Sequence, residues 1–300
     1  MFIIKNKFVF ISISAVLVAT SIALVAIFGL KLGIDFKGGA LTEVAYPNGR
    51  PAISEIQDNV RSLGFGESVI QEAGENGVII KSRDLSEAER LNLMKTLSKN
   101  GSVSVTEKTF TSIGPSVGAE LARKSIVAII LVALAIILFI AFAFRKVSEP
   151  VSSWKYGLIA VVTLIHDITI PSGVFALLSH YAGAEVDTLF VVALLTVLGL
   201  SVSDTIVVFD RIRENLKFSP EPTFAETVGK SISQTFTRSI NTSLTVILAL
   251  LALFFFGPET TKYFALVLVT GMFFGTYSSI FVASPILVLV EEWQGKKGRK

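Results

Sequence analysis

Three hundred residues are enough for two soluble domains, but 51% of them are hydrophobic, mean hydropathy is +0.66 and only 17% are charged. A net charge of +3 gives no nucleic-acid surface, and the absence of cysteine excludes disulfides and thiolate metal ligands. The composition is that of a polytopic protein embedded in a lipid bilayer.

The first apolar run, residues 8–30, is long enough to cross a ~30 Å hydrocarbon layer. It is about twice the length of a signal-peptide core and lacks a small-x-small cleavage site, so it reads as a retained anchor. A polar segment of mixed charge follows, residues 31–123, with the order strand, helix, strand, strand, helix, strand. Thr42, Val44 and Tyr46 fall on one face of a strand over 40–46. Asn48-Gly49 turns the chain, and Pro51 opens a helix with Ile53, Ile56, Val60 and Leu63 at helical spacing. Residues 67–72 and 78–81 make a strand pair. Ser86 and Glu89 form a capping box before a helix whose buried stripe reads Leu91, Met94 and Leu97. Asn100-Gly101 ends it, and 102–110 alternates as the last strand. A β-α-β-β-α-β order is a split βαβ, ferredoxin-like domain.

Further apolar runs span 125–144, 156–178, 188–209, 242–256 and 263–290, which gives six transmembrane helices. Lys and Arg mark their cytoplasmic ends: Lys5 and Lys7; Arg145, Lys146 and Lys155; Arg211, Arg213, Lys217 and Lys230; and Lys296, Lys297, Arg299 and Lys300. The opposite turns carry almost no basic residues, so both termini are read as cytoplasmic and 31–123 as external. The organisation is a terminus and first span (1–30), an outer domain (31–123), five spans (124–291) and a basic tail (292–300).

Ionisable groups inside a span are costly and mark function by default. Asp204 lies about 9 Å inside the fourth span, among Ser201, Ser203 and Thr205. The fifth run is too short to cross and must extend backwards by roughly five residues, which brings Arg238 to the depth of Asp204. Gln234, Arg238, Asn241, Thr242 and Thr245 share one helical face, which should meet protein or water. Opposed Asp204 and Arg238 make a gated proton site: the acid takes a proton when Arg238 withdraws and loses it when Arg238 returns. The competing reading is a structural ion pair. His166-Asp167, in the third span, stands between a proton relay and a hydrogen-bonded packing pair. Asp210, beside Arg211 and Arg213, reads as a solvated interfacial charge. Gly271 and Gly275 form a G-x-x-x-G suited to close packing within the chain. Lys37-Gly38-Gly39 lacks the spacing of a phosphate loop, and no metal, nucleotide or catalytic constellation appears.

These stretches carry a resemblance. Gly33-Ile34-Asp35-Phe36-Lys37-Gly38-Gly39 resembles the G-x-D-F-x-G-G signature of the SecD/SecF family, with Lys37 where a small polar residue is common. The run from Ser203 through Asp204-Thr205-Ile206-Val207-Val208-Phe209-Asp210-Arg211 to Asn215 resembles the family's span-four motif. Gln234-Thr235, Arg238-Ser239 and Asn241-Thr242-Ser243 resemble the motif opening span five, and His166-Asp167 matches a recurring element. A single six-span unit is half of an RND-type transporter and favours the SecF branch. The resemblance implies a bacterial inner-membrane subunit, not an enzyme and without a cofactor. It implies use of the proton-motive force with SecD to move preproteins through the SecYEG channel after the SecA step. SecA and YidC/YajC-type proteins are further implied partners, and the proton-pathway residues fall on Asp204 and Arg238. The rival readings are an RND-type lipid or small-molecule exporter, an intramembrane protease using Asp167 and Asp204, and a translocon scaffold.

Overall fold

The computed structural model describes residues 2–143 and 151–297; Arg145, Lys146, Arg299 and Lys300, part of the basic pattern, lie outside the described residues. The chain forms two units, one of Lys31–Val127 with Glu185–Thr188 and one of the remaining residues.

In the first unit, a single turn of helix, α3 (Ile34–Lys37), precedes β1 (Gly39–Ala45), α4 (Ile53–Ser62), β2 (Val69–Ala73), β3 (Gly77–Ser82), α5 (Glu87–Leu97) and β4 (Thr106–Ile113). The strands form one antiparallel sheet in the order β2-β3-β1-β4, the ferredoxin-like arrangement. Alternation sends Ala40, Thr42, Val44, Val78 and Ile80 to one face, where Ile56 and Val60 of α4 and Leu93 and Leu97 of α5 cover them. The buried stripe of α5 thus differs from the expected one. Leu93 is buried and Leu91 is exposed, because the phase is set by Leu93 and Leu97 one turn apart. The guanidinium of Arg90 instead lies over the Phe110 ring. The last strand begins later than the alternation suggested, since Val103 and Val105 pack against the core from the connection preceding it.

Residues 185–187, which the sequence placed in a turn between spans, and Thr188, the expected start of the fourth span, belong to this sheet-bearing unit. Leu32 and Val186 pair as a parallel bridge, and Lys81 forms an ion pair with Glu185 at 3.0 Å.

The second unit is helical. A short α1 (Phe2–Lys5) leads into α2 (Lys7–Phe28), followed by α6 (Pro115–Ala143), whose residues up to Val127 group with the sheet, and by α7 (Ser153–Tyr181), α8 (Thr188–Phe218) and α9 (Phe224–Phe256). The sixth span comprises α10 (Lys262–Ser278), a π-helical segment (Ser279–Ala283) and α11 (Ser284–Lys297). Among the described residues, six helical stretches are long and apolar enough to cross a membrane. The interior is built by α7, α8 and the sixth span, with Tyr156, Leu198, Phe209, Ile212, Ile280 and Leu287 fully buried. Much of α2, α6 and α9 remains exposed. The fifth span extends back well beyond five residues: α9 starts at Phe224 under a capping box of Thr223 and Glu226. The last span is likewise helical to Lys297, so part of the expected tail is helix.

Candidate functional site

Two glycines set how closely the fourth and sixth spans approach. A Cβ on Gly271 would stand 2.1 Å from Val197 Cγ2, and one on Gly275 would stand 3.1 Å from Ser201 Cβ. The G-x-x-x-G pair therefore packs α10 directly onto α8, within the chain.

That approach brings Thr276 to Asp204. Thr276 Oγ1 donates to Asp204 Oδ2 at 2.9 Å, and the same hydroxyl meets Ser243 Oγ of α9. Ser243 Oγ also donates to the Ser239 carbonyl at 2.9 Å. One position further along α8, Thr205 and Ser279 share a hydroxyl hydrogen bond of 2.8 Å. Asp204 is partly buried, and the Ser239 hydroxyl is buried without a partner in the described structure. Two helices, α9 and α10, thus supply a hydroxyl lining to one carboxylate of α8.

A second carboxylate sits deeper. Asp167 is fully buried; its Oδ2 accepts from Ser278 Oγ at 2.8 Å and from Ser201 Oγ, and its Oδ1 lies 2.7 Å from His166 Nδ1. With the proton on Nδ1, three donors from α7, α8 and α10 converge on this group. The His166 ring stacks on Tyr277 at 6.3 Å, and its Nε2 is buried without a partner among the described residues. Sequence reasoning paired His166 with Asp167 but missed Ser278, and it treated Ser201 as a neighbour of Asp204 only. Ser278, Ser279 and Thr276 form a polar cluster in an apolar span, which was a readable signal. Their roles were not, because hydroxyls in spans often bond back to their own helix.

Arg238 corrects the expected pairing. It is exposed, near enough to Asp204 to interact electrostatically, yet no ion pair joins them among the described residues. The expected polar stripe of α9, Gln234, Arg238, Asn241, Thr242 and Thr245, is exposed, and a different set, Thr235, Ser239 and Ser243, turns inward. Gln234 belongs to another network, accepting from Arg211 Nε at 2.7 Å and from Asn215 Nδ2 at 2.8 Å. Asp210 forms an exposed ion pair with Arg213 at 2.5 Å.

The glycine signature lies in the sheet-bearing unit. Gly38 and Gly39 have φ of 81° and 140°, and a Cβ on either would come within 2.8 Å of Pro115 or 2.7 Å of the Ser82 carbonyl. Phe36 is buried. Gly33 N–H donates to the Val186 carbonyl at 2.8 Å, and Asp35 Oδ2 accepts from the backbone N–H of Thr188 at 2.8 Å.

The sequence matches the family described as "Protein export membrane protein SecD/SecF, C-terminal" over residues 93–293, and the "SecD/SecF GG Motif" over residues 23–46. The chain belongs to the SecD/SecF family. Among similar SecD/SecF proteins, a protein translocase subunit SecF of Thermobaculum terrenum is 41% identical, over 98% of this chain and 94% of that one. The SecF of Anaerolinea thermophila is 38% identical, over 99% and 98%. Among solved structures, that of SecDF from Thermus thermophilus, titled a translocon-associated membrane protein, superposes with a TM-score of 0.81 at 32% identity. The alignment covers 96% of this chain but 38% of SecDF, so the present six-span unit matches a minor part of that longer protein.

Proposed function

We propose that this protein serves as the SecF subunit of the Sec protein translocase. With SecD it draws on the proton-motive force to promote preprotein movement through SecYEG after the SecA step. The observation that carries the reading is Asp204, an acid in a membrane helix with a hydroxyl lining from two neighbouring helices and a nearby arginine that does not neutralise it. Thr276 can donate to a carboxylate or accept from a carboxylic acid, so the site accommodates both protonation states. Arg238 can pair only with the charged one. No cofactor is required.

The partner reading rests on the outward face of α9. Arg238, Asn241, Thr242 and Thr245 are exposed on a helix long enough to span the bilayer. Such groups are poor neighbours for lipid. A membrane chain with polar groups at the same depth would cover them, the role assigned here to SecD. The basic residues Lys5, Lys7, Arg211 and Lys230 support an inner-membrane placement with cytoplasmic termini and an external sheet unit.

Asp204→Asn keeps the size of the side chain and removes its titration. In inverted vesicles it should leave the complex at its normal amount while abolishing the gradient-dependent part of preprotein translocation. Full gradient-dependent translocation in this variant refutes the proton reading and leaves a scaffold.

A further inference from the structure

The helix that carries Asp204 begins inside the sheet-bearing unit, since residues 185–188 belong to that unit and run without a break into α8. The first peptide N–H groups of a helix have no partner within it, and a side chain immediately before the helix usually supplies one. Here the Thr188 N–H is taken by Asp35, 153 residues away in the chain.

Asp35 does not act alone. Val186 N–H donates to the Lys31 carbonyl at 2.7 Å, Gly33 N–H returns the bond to Val186 at 2.8 Å, and the Lys81–Glu185 ion pair ties the same segment to β3. The glycines on the other side of Asp35 allow equally close contacts. A Cβ on Gly38 would stand 2.8 Å from Pro115, and one on Gly118 would stand 2.8 Å from the Gly38 nitrogen. The signature segment therefore clasps three things at once: the sheet, the start of α6 and the start of α8.

We propose that Asp35 is a positioning residue for the proton site. By holding the first N–H of α8 it fixes where the Asp204 helix begins, and with it the height of Asp204 along that helix. An α-helix is stiff along its axis, and the distance from Thr188 to Asp204 is about 24 Å of continuous helix. The inference rests on the proton reading of Asp204 and adds the residue that sets the start of the helix carrying it.

The test uses the full-length protein with its SecD partner in inverted membrane vesicles. Translocation is measured with and without a proton gradient at matched amounts of complex. Asp35→Ala should lower the gradient-dependent increment at least fivefold while sparing gradient-independent translocation. Asp35→Asn, which keeps an acceptor for Thr188, should retain most of the increment. The chain has no cysteine, so Lys81→Cys with Glu185→Cys can be bridged specifically by a short bis-maleimide. In the Asp35→Ala background the bridge should restore the increment. A full increment in Asp35→Ala, or a loss that the bridge leaves unrepaired, overturns the proposal. If Asp35→Ala fails to accumulate, Thr188→Pro, which removes the donor N–H at the first position of α8, is measured instead, and a full increment there also overturns it. Asp204→Asn is run in parallel. An undiminished increment there refutes the proton reading itself, whereas one confined to Asp35→Ala refutes only the clasp.

Discussion

Thr276 Oγ1 lies 2.9 Å from Asp204 Oδ2, so the sixth span, not Arg238, supplies the side-chain contact to the acid of the fourth. Thr276→Val keeps the shape of the side chain and deletes the hydroxyl. Leaving a partly buried acceptor short of one donor costs about 1–3 kcal/mol. Gradient-dependent translocation should fall roughly tenfold, an equivalent of about 1.4 kcal/mol, with the amount of complex little changed. Translocation in vesicles alongside immunoblotting checks it, and a wild-type increment would remove Thr276 from the site.

Asp167 should behave differently from Asp204. Its oxygens receive Ser201, Ser278 and His166 from three helices in a fully buried position. Asp167→Ala strands those groups at about 1–3 kcal/mol each, and the complex should lose thermal stability and abundance together. Asp167→Asn, which keeps an acceptor, should recover much of the stability. If it restores abundance but not gradient-dependent translocation, the pair titrates as well as packs. Melting of the purified complex, compared with its activity, separates the two roles.

The close packing of the fourth and sixth spans rests on Gly271. Gly271→Ala places a methyl 2.1 Å from Val197 Cγ2, so the helices must part or Val197 must move. Overpacking of this kind costs about 1–3 kcal/mol. Val197→Ala in the same chain should relieve most of it. A double-mutant cycle on thermal stability measures the coupling, and strictly additive effects would show that the two spans adjust freely.

The sheet-bearing unit carries its own acid sensitivity. Arg83 pairs with Glu89, and Ser86 bonds to the same carboxylate, which holds Glu89 down to about 2. A carboxyl depressed on folding stabilises the fold above its unfolded value, and that contribution is lost as pH falls through the folded one. Residues 31–127 expressed alone should therefore unfold cooperatively, with stability falling between about pH 4.3 and 2. Glu89→Gln should flatten the fall in that window. Chemical denaturation at stepped pH gives the result, and an unchanged slope in Glu89→Gln would remove the pair from the acid response.

Much of this protein was legible in the sequence because its strongest signals are local. Apolar runs long enough to cross a bilayer, the alternation of Thr42, Val44 and Tyr46, and the Ser86–Glu89 capping box each depend on residues a few positions apart. The cost of a charge in hydrocarbon singled out Asp204, Asp167 and Arg238 without any knowledge of their neighbours. Helical phase was less secure. A stripe through Leu91 and one through Leu93 fit the same short run, and only packing against Val44 and Ile80 chose between them.

The partners of Asp204 and Asp35 were decided by tertiary structure alone. Matching depth suggested that Asp204 meets Arg238, but depth says nothing about rotation about a helix axis. Gly271 and Gly275 draw Thr276 to Asp204, while the turn of α9 points Ser239 and Ser243 inward and Arg238 outward. Asp35 shows the same limit. Its sequence neighbourhood announced a signature, yet its contact is a backbone N–H at Thr188, which has no side-chain identity for a sequence to display. Composition and periodicity fix which residues enter the membrane and which fold outside it; which of them touch depends on helix rotation and close approach, set only when the whole chain packs.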